Sequence, residues 1–387
     1  MLTATTASIT HDDPFQAGRD LAAELLEGLG GQPDVVLLFF SADYDPRRLL
    51  DGLHGRIDRG AQLIGCSTYG EIAGEEALAG SATAMAIRTG GLGARALKAT
   101  HDRKDSYEVG RALAEQAREF GAALLILLVD GVQLASTPVL AGAKSVLGRD
   151  FPIVGGVAAD DAKFARTFEL CNDEVLEGGA VALALRGPLK VATVAQGGWQ
   201  PIGATRRCTR VENAKLVLEL DGQPALNLYR DYLGEFGRDL STAGVEFPLG
   251  VVGLPGRPRG DDDDVLLVRA VQGADEARGG LRCSGDVPEG AEVRMLRASK
   301  DDLIAGAGEA TADLHGRLPG ARLALLFDCA GRKMVLGARY KEEIAAAFAR
   351  LPADLPRIGF YTYGELSPVG GETLHHDETF TAVLIEG

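Results

Sequence analysis

The chain has 387 residues, of which 46% are hydrophobic and 25% charged, a composition that supports buried cores and argues against extensive disorder. Its length predicts two domains. The formal net charge of -15 argues against nucleic acid as a partner, because phosphate binding needs a positively charged surface and the stretch "TRRCTR" (205–210) is too short to supply one.

Three stretches of the chain show one order of predicted elements: a buried strand, a helix, a strand that ends in a glycine-bearing turn, and a closing strand. The buried strands are "DVVLLFFS" (34–41), "ALLILLVDG" (123–131) and "ARLALLFDCAG" (321–331). Amphipathic helices are predicted before them at 13–30, 105–121 and 299–318, and further helices after them at 45–58, 138–147 and 339–351. The predicted fold class is α+β, with layered mixed sheets flanked by helices and built from repeated strand-helix-strand-turn-strand units.

The turns of the three units can be set in register. They read "IGCSTYGEI" (64–72), "PIVGGVAADD" (152–161) and "IGFYTYGEL" (358–366). Equivalent glycines are Gly65, Gly155 and Gly359, and equivalent acids are Glu71, Asp161 and Glu365. The middle copy lacks the Thr-Tyr-Gly sequence but keeps an acid, and we expect Asp161 to be buried between the repeats.

A change in the pattern of predicted elements near Gly222 predicts the domain boundary. A strand pair and a "DGQP" turn are followed there by a helical pattern. The predicted regions are an N-terminal segment with the first helix (1–29), a first domain (30–222) and a second domain (223–387). The run Asp261–Asp264 is interpreted as a solvated loop tip, since four consecutive side chains splay apart and do not converge on a metal ion.

The Thr-Tyr-Gly-Glu turns are the best candidates for a site. Glycine lets the backbone approach a ligand closely, tyrosine offers a ring face and a hydroxyl, and glutamate is a fixed acceptor. This combination suits a small polar ligand that carries an amine. The alternative is that the two glutamates cap helices or pair with arginine. The candidate ligand-binding residues in these turns are Thr68, Tyr69, Glu71, Thr362, Tyr363 and Glu365.

Cysteine and histidine offer less chemistry. The five cysteines are scattered without a C-x-x-C pair, so neither disulfides nor a zinc site is predicted. Cys66 could be a nucleophile, but no histidine lies in its motif and Phe360 replaces it in the second copy, which favours a small buried cysteine. His375 and His376 could contact a ligand or bind haem iron, or could be polar residues at a strand end.

Several stretches resemble the FIST sensory domain pair, which has an N-terminal and a C-terminal part. "IGCSTYGEI" is similar to the motif of the first part, and "VAQGGWQPIG" with "LELDGQPALNLYRDYLG" is similar to the junction. "FPLGVV", "LLVRAVQGAD", "CSGDVPEGAEVRML" and "GFYTYGELSP" followed by "HHDETFTAVLI" resemble the second part. The resemblance begins at about residue 30 and covers nearly all of the remaining chain.

The resemblance implies a sensor that binds a small ligand, with amino acids proposed for the family, and that acts beside histidine kinases, diguanylate cyclases or chemotaxis proteins. Some members resemble haem proteins that sense nitric oxide, with His376 or His375 as the axial candidate here. Two positions depart from the family pattern: Asp377 follows His376 where asparagine is frequent, and Trp199 occupies a position frequently held by cysteine.

The sequence therefore predicts a non-enzymatic sensor that signals to a separate kinase or cyclase. His376 joins the turn residues as a candidate for ligand binding. The cofactor is unknown, and a haem-based nitric-oxide sensor is the alternative. The N-terminal stretch has no secretory signal, and no apolar run has the length of a membrane span, so a cytoplasmic location without membrane contact is expected.

Overall fold

The computed structural model describes residues 1–101, 103, 105–255 and 266–387. The predicted loop tip at Asp261–Asp264 lies outside these residues. Within them, no helix is both long enough and apolar enough to span a membrane.

Two complete structural units occupy the first half of the chain. The first comprises β1 (Thr3–Ile9), α1 (Pro14–Leu29), β2 (Val35–Ser41), α2 (Pro46–His54), β3 (Gln62–Thr68), β4 (Glu71–Ala73), β5 (Glu76–Ala77) and β6 (Ala82–Arg88). The second comprises β7 (Gly93–Thr100), α3 (Ser106–Phe120), β8 (Leu124–Val129), α4 (Ser136–Leu147), β9 (Ile153–Val157), β10 (Glu169–Cys171), β11 (Glu174–Leu176) and β12 (Gly179–Arg186).

A third unit is interrupted by an inserted subdomain. After β13 (Lys190–Gln196), the insertion comprises β14 (Gln200–Glu212), β15 (Leu216–Leu220), β16 (Gln223–Pro224), α5 (Leu226–Leu233), α6 (Leu240–Glu246), β17 (Leu249–Gly253), β18 (Leu267–Arg269), β19 (Val271–Asp275), β20 (Gly280–Cys283) and β21 (Glu292–Arg297). The unit continues with α7 (Lys300–Arg317), β22 (Leu323–Cys329), α8 (Ala330–Leu336), α9 (Tyr340–Phe348), β23 (Arg357–Thr362), β24 (Glu365–Val369), β25 (Glu372–His376) and β26 (Phe380–Glu386).

The predicted α+β class and the threefold repetition are confirmed. Each unit pairs its buried strand in parallel with the strand that leads to the turn: β2 with β3, β8 with β9, and β22 with β23. Gly65, Gly155 and Gly359 occupy the same register, each opposite a leucine of the buried strand, as the sequence predicts. The strand that closes each unit pairs antiparallel with the other side of the buried strand.

The units exchange hairpins in a cycle. The hairpin β10–β11 of the second unit extends the first sheet beside β3, and β24–β25 of the third unit extends the second sheet beside β9. The hairpin β4–β5 of the first unit completes the cycle beside β23. The regions predicted as domains, 30–222 and 223–387, therefore contribute strands to the same sheets.

One apolar core joins the three sheets. It takes inward-facing side chains from every parallel pair, among them Phe39, Ile126, Phe327 and Phe360. The opposite face of each sheet is covered by its own helices in a separate apolar cluster. Because both faces are buried, the central strands are continuous apolar runs with no alternation, which is why they stand out in the sequence.

The helix boundaries follow local capping rules. The Asp13 side chain accepts from the backbone N–H of Phe15, and the Asp105 side chain accepts from Tyr107 and Glu108. Ser299 and Asp302 form a capping box at the start of α7. The helices predicted over 105–121 and 299–318 are thus confirmed, with Asp105 and Ser299 as their N-caps.

The strand and the helix predicted for the third unit are present with shorter bounds, and a helix between them is missed. The strand predicted over 321–331 ends at Cys329, and the single helix predicted over 339–351 is preceded by α8, which begins at Ala330. A separate helix of seven residues, followed by a 3-10 turn at Gly337–Arg339, is too short to show a distinct apolar period. The N-terminal strand β1, which pairs with β6, is not predicted from the sequence either.

The inserted subdomain has its own sheet and core. Its strands are ordered β18-β17-β21-β14-β15-β20-β19, with β16 paired to β15. A small apolar cluster that includes Trp199, Val268, Leu303 and Leu336 joins this subdomain to the third unit. The junction between them is therefore a packed contact.

The strand glycines give a direct test of the repeat. A Cβ atom at Gly65 would lie 2.2 Å from the carbonyl oxygen of Leu38, and one at Gly359 would lie 2.1 Å from that of Leu326. We expect Gly65→Ala and Gly359→Ala each to lower the free energy of unfolding by about 1–3 kcal/mol, measured by urea denaturation. Gly273→Ala, whose Cβ would have no neighbour within 4 Å, is the control. Equal stability of all three variants would contradict this account.

Candidate functional site

The turns that follow β3, β9 and β23 contact one another around one end of the three-sheet assembly. The backbone N–H of Tyr69 donates to the carbonyl of Tyr361 at 2.9 Å, and that of Tyr363 donates to Val157 at 3.2 Å. In the middle unit, Ala159 donates to the carbonyl of Ser67 at 3.0 Å. Each turn thus contacts a different unit, and the two Thr-Tyr-Gly-Glu motifs lie at the same end of the protein.

The prediction that Asp161 is the middle unit's equivalent of Glu71 and Glu365 is wrong. Glu71 pairs with Phe360 and Glu365 pairs with Gly156, in each case the residue after the strand glycine of the neighbouring sheet. The residue that holds this position in the middle unit is Glu169, which pairs with Cys66. Asp161 lies in a loop inserted between the turn and β10, and it is only partly buried. The inserted loop hides this equivalence in the sequence.

Glu71 is held by neighbouring side chains inside the protein. Its Oε1 accepts from the Thr68 hydroxyl at 2.6 Å, and its Oε2 accepts from the backbone N–H of Ser81 at 3.2 Å and from the Ser81 hydroxyl. Burial raises its pKa. These contacts join the turn to the start of β6, so Thr68 and Glu71 support the turn and have little surface for a ligand.

Thr362 and Glu365 are also buried. The Thr362 hydroxyl donates to the carbonyl of Val157 at 2.6 Å and accepts from the backbone N–H of Gly364 at 3.1 Å. Glu365 Oε2 accepts from the backbone N–H of Thr379 at 3.2 Å, while its Oε1 has no hydrogen-bond partner. Burial raises the pKa of Glu365 well above its usual value.

Tyr69 contacts a cation that the sequence did not point to. The Lys333 Nζ donates to the carbonyl oxygen of Tyr69 at 2.7 Å. The same Nζ lies 4.7 Å from the ring centroids of Tyr69 and Tyr361 and 5.0 Å from that of Tyr340. The ring face that was expected to receive a ligand amine is therefore occupied by an amine of the protein itself.

Tyr363 organises the inserted loop of the middle unit. Its hydroxyl donates to Asp160 Oδ1 at 2.6 Å and accepts from the backbone N–H of Ala162 at 2.7 Å. Its ring stacks on Phe164, which is 59% exposed and has a positive φ of 48°.

Asp160, and not Asp161 as predicted, is the buried acid of this loop. Its carboxylate accepts from three backbone N–H groups, those of Phe164, Ala165 and Arg166.

His376 lies on the wall of a cavity at the junction of the third unit and the inserted subdomain. The cavity has a volume of about 280 Å³. Its wall includes Val268, His376 and Thr379, and the residues of the loop 196–200, among them Trp199. The Nε2 atom of His376 lies 3.1 Å from the carbonyl oxygen of Ser367, so Nε2 carries the proton of the neutral ring. Burial lowers the pKa of His376 to about 3, and the ring is neutral near pH 7.

His375 does not fit haem, and the cavity beside His376 is small for it. His375 uses both ring nitrogens: Nδ1 lies 2.9 Å from the Ser136 hydroxyl, and Nε2 lies 3.3 Å from Asp377. His376 has only Nδ1 left for a metal. The cavity that it lines is also at the lower limit of the sizes usual for small-ligand pockets, which leaves little room for a macrocycle.

Cys66 is unsuited to nucleophilic catalysis. It is fully buried in the core between the sheets, and burial raises the pKa of its thiol well above the usual value, with further contributions from Glu169 and Glu71. A neutral, enclosed thiol is a poor nucleophile. The interpretation of Cys66 as a small buried side chain agrees with this position.

Arg332 connects the cavity loop to the helices of the third unit, and sequence analysis missed it. Its fully buried guanidinium contacts the carbonyl oxygen of Gly197 and the carboxylate of Glu343, and it donates to the carbonyl of Leu303 at 3.2 Å. The backbone carbonyl of Glu378, which accepts from the Trp199 indole at 2.7 Å, also lies 3.4 Å from Arg332. The missed helix α8 carries both Arg332 and Lys333, which explains why neither residue was predicted.

Comparisons with known proteins place the chain in a class of sensory proteins. A FIST N domain model matches residues 34–223, and a FIST C domain model matches residues 225–368. These are sensory domains that bind small ligands in signalling proteins. The chain belongs to the FIST family. The junction of the two matches falls at β16, inside the inserted subdomain.

Relatives of similar length extend over nearly the whole chain. An uncharacterized protein of Mycobacterium tuberculosis is 28% identical, and the alignment covers 97% of each chain. An uncharacterized protein of Mycobacterium bovis is 27% identical, covering 97% of this chain and 96% of the relative. A solved structure of cyanuric acid hydrolase from A. caulinodans aligns with 100% of this chain and 99% of its own at 11% identity, with a TM-score of 0.34.

The buried acid Glu378 predicts a pH-dependent stability. Burial raises its pKa from the usual 4.5 to about 8, so the folded protein binds a proton that the unfolded chain releases between these values. Stability should therefore fall as the pH rises through this window. We expect Glu378→Gln to remove up to about 1.4 kcal/mol of this loss per pH unit.

The measurement is urea denaturation at pH 5.5, 6.5 and 7.5. Glu276→Gln, at a carboxylate on the surface, is the matched control and should keep the wild-type slope. If Glu378→Gln also kept that slope, Glu378 would not be protonated in the folded protein.

Proposed function

We propose that this protein is a non-enzymatic sensor that binds a small ligand of amino-acid size in the cavity lined by Trp199 and His376. The main support for this proposal is the cavity itself, which lies where the inserted subdomain packs against the third unit. Its volume of about 280 Å³ suits a ligand of this size. Family membership supports a sensory role.

The cavity wall combines apolar surface with a few polar groups. Trp199 and Val268 supply apolar contact, while His376, Thr379 and Gln200 offer groups for hydrogen bonding. The neutral ring of His376 keeps Nδ1 as an acceptor, since Nε2 is bound to the Ser367 carbonyl. The wall is thus suited to a ligand that donates hydrogen bonds, such as one with an amine.

The position of the cavity gives ligand binding a route to a wider change. The loop 196–200 leads from β13 into the inserted subdomain, and the Arg332 side chain holds it through the carbonyl of Gly197. A ligand that orders this loop would bias how the subdomain packs on the third unit. We propose that this packing is the signal that a separate protein, such as a kinase or cyclase, recognises.

A cytoplasmic location belongs to this proposal. All five cysteines are free and buried, which is consistent with a reducing compartment. The haem-based alternative is less well supported, because both ring nitrogens of His375 are engaged and the cavity beside His376 has little room for a macrocycle.

The test is a thermal-shift screen of the twenty amino acids on the full-length protein, followed by calorimetry on the best ligand. We expect His376→Gln and Val268→Phe each to weaken binding by about tenfold or more, which corresponds to about 1.4 kcal/mol. The first change alters the polar wall but can still donate to the Ser367 carbonyl, and the second fills the cavity.

His11→Gln, on the exposed N-terminal segment, is the matched control and should bind as the wild type does. Wild-type affinity in both cavity variants would show that the ligand binds elsewhere. An absorption spectrum of protein produced with a haem supply distinguishes the haem sensor from the proposed amino-acid sensor. A Soret band that is lost in His376→Gln would favour haem.

A further inference from the structure

We propose that a second cavity, between α2 of the first unit and the exchanged hairpin of the second, binds a small organic monocarboxylate with an apolar body. This cavity, the α2 cleft, has a volume of about 470 Å³, which is within the range usual for small-ligand sites. Among the described residues, none lines both the α2 cleft and the cavity beside His376. The inference goes beyond the proposed sensory function and does not depend on it.

Two units of the fold build the α2 cleft. Residues 42–47, between β2 and the first turn of α2, form one wall. The other wall belongs to the segment of the second unit that contains the hairpin β10–β11, and it includes Arg166, Phe168, Val175 and Glu177. Because this hairpin pairs with β3, the cleft forms only where the second unit extends the first sheet. A ligand in the cleft would contact both units.

The apolar surface of the α2 cleft is fixed before a ligand arrives. It is contributed by four buried or partly buried side chains, those of Tyr44, Pro46, Phe168 and Val175. The Tyr44 hydroxyl accepts from the backbone N–H of His11 at 3.1 Å and donates to the carbonyl of Gly80 at 3.3 Å. The backbone N–H of Phe168 donates to the Ser67 hydroxyl at 3.1 Å. The apolar body of a ligand would therefore pack on a preformed surface.

The guanidinium of Arg166 is oriented by an aromatic ring. Its Cζ lies over the face of the Phe168 ring, 5.0 Å from the centroid. A guanidinium that stacks through its face keeps its N–H donors at its edge, where they can bind both oxygens of a carboxylate. The backbone is also held, since the N–H of Arg166 donates to Asp160 Oδ2 at 3.0 Å. The cleft thus contains one positioned group for an anion.

Arg47 supplies a second guanidinium. It lines the α2 cleft and also a neighbouring cavity of about 110 Å³, so its side chain lies between the two. In the part of the chain that the structure describes, neither Arg47 nor Arg166 is paired with a carboxylate. The next residue, Arg48, differs in both respects, because it is paired with Asp13 at 2.8 Å and lines neither cavity. Two arginines that face a cavity without a carboxylate partner are suited to bind an anion.

The neighbouring cavity holds a buried histidine with unused hydrogen-bonding capacity. The His54 side chain is 3% exposed, and its ring nitrogens have no hydrogen-bond partner among the described residues. Its Nε2 lies 3.3 Å from Asp173 Oδ1, a contact that lacks hydrogen-bond geometry. A buried polar group without a partner is costly, and a polar group of a ligand that extends from the α2 cleft would relieve this cost.

The carboxylates of the α2 cleft limit the charge of its ligand. Asp43 is paired with Lys163 at 2.5 Å, and Asp45 accepts from the backbone N–H of Arg47 at 2.9 Å. Glu177 has a partner of its own. These three groups are engaged, but their negative charge still opposes an anion of high charge. Two arginines beside three carboxylates therefore favour a monocarboxylate over a phosphate.

The test is calorimetric titration of the full-length protein at low salt with acetate, benzoate, phenylacetate, benzamide and inorganic phosphate. We expect benzoate and phenylacetate to bind more tightly than acetate, because their rings bury apolar surface on the cleft wall. Benzamide, which has the shape of benzoate without its charge, should bind at least about tenfold more weakly than benzoate. Phosphate should bind more weakly than benzoate.

The variants place the ligand in the α2 cleft. Arg47→Gln and Arg166→Gln should each weaken benzoate binding by about tenfold or more, and Val175→Phe, which fills both cavities, should abolish it. Arg48→Gln is the matched control: it removes the same charge one residue along the helix and should bind benzoate as the wild type does. The unfolding temperature without ligand shows whether each variant is folded.

The outcome is independent of the test of the sensory cavity. Val268→Phe, which fills that cavity, should leave benzoate binding unchanged, and a loss of binding in this variant would overturn the proposal. Absence of benzoate binding, equal affinities for benzoate and benzamide, or tighter binding of phosphate than of benzoate would also overturn it. So would wild-type affinity in both folded arginine variants.

Discussion

The exchange of hairpins between units is the constraint on which this fold depends. A parallel strand with one open side presents unpaired backbone groups, and here each such edge is covered by a hairpin from another unit. Glu71, Glu169 and Glu365 stand at the first residue of these hairpins and are fully buried there. Since every unit both gives and receives a hairpin, none of the three sheets is complete by itself.

This arrangement brings the cavity loop and the first Thr-Tyr-Gly-Glu turn within reach of one short helix. On α8, Arg332 turns to the loop that lines the cavity, and Lys333 turns to the first Tyr-Gly-Glu turn. The helix begins where the buried strand β22 ends, so the sheet fixes both side chains. A shift of α8 would therefore act on both places together.

The sequence predicts the α+β class, the threefold unit and the glycine register, because strands buried on both faces give continuous apolar runs with fixed spacing. It does not predict the cyclic hairpin exchange, since the hairpin strands are short and their partners lie in other units. For the same reason Asp161 was taken for the equivalent of Glu71, while Glu169 holds that position. Among the predicted site residues, His376 reaches a cavity wall, whereas the turn threonines and glutamates are closed in by their own hydrogen bonds.

The exchange also has a consequence for synthesis on the ribosome. The hairpin β4–β5 emerges early, but its partner β23 is among the last elements to be made. At about 5–20 residues per second, the wait is roughly 15–60 s. During that time Ile72, which is buried in the finished protein, lacks the strand that pairs with its hairpin. The last unit to be translated therefore completes the first, and a nascent chain that stalls before residue 357 keeps an open sheet edge that other chains can join.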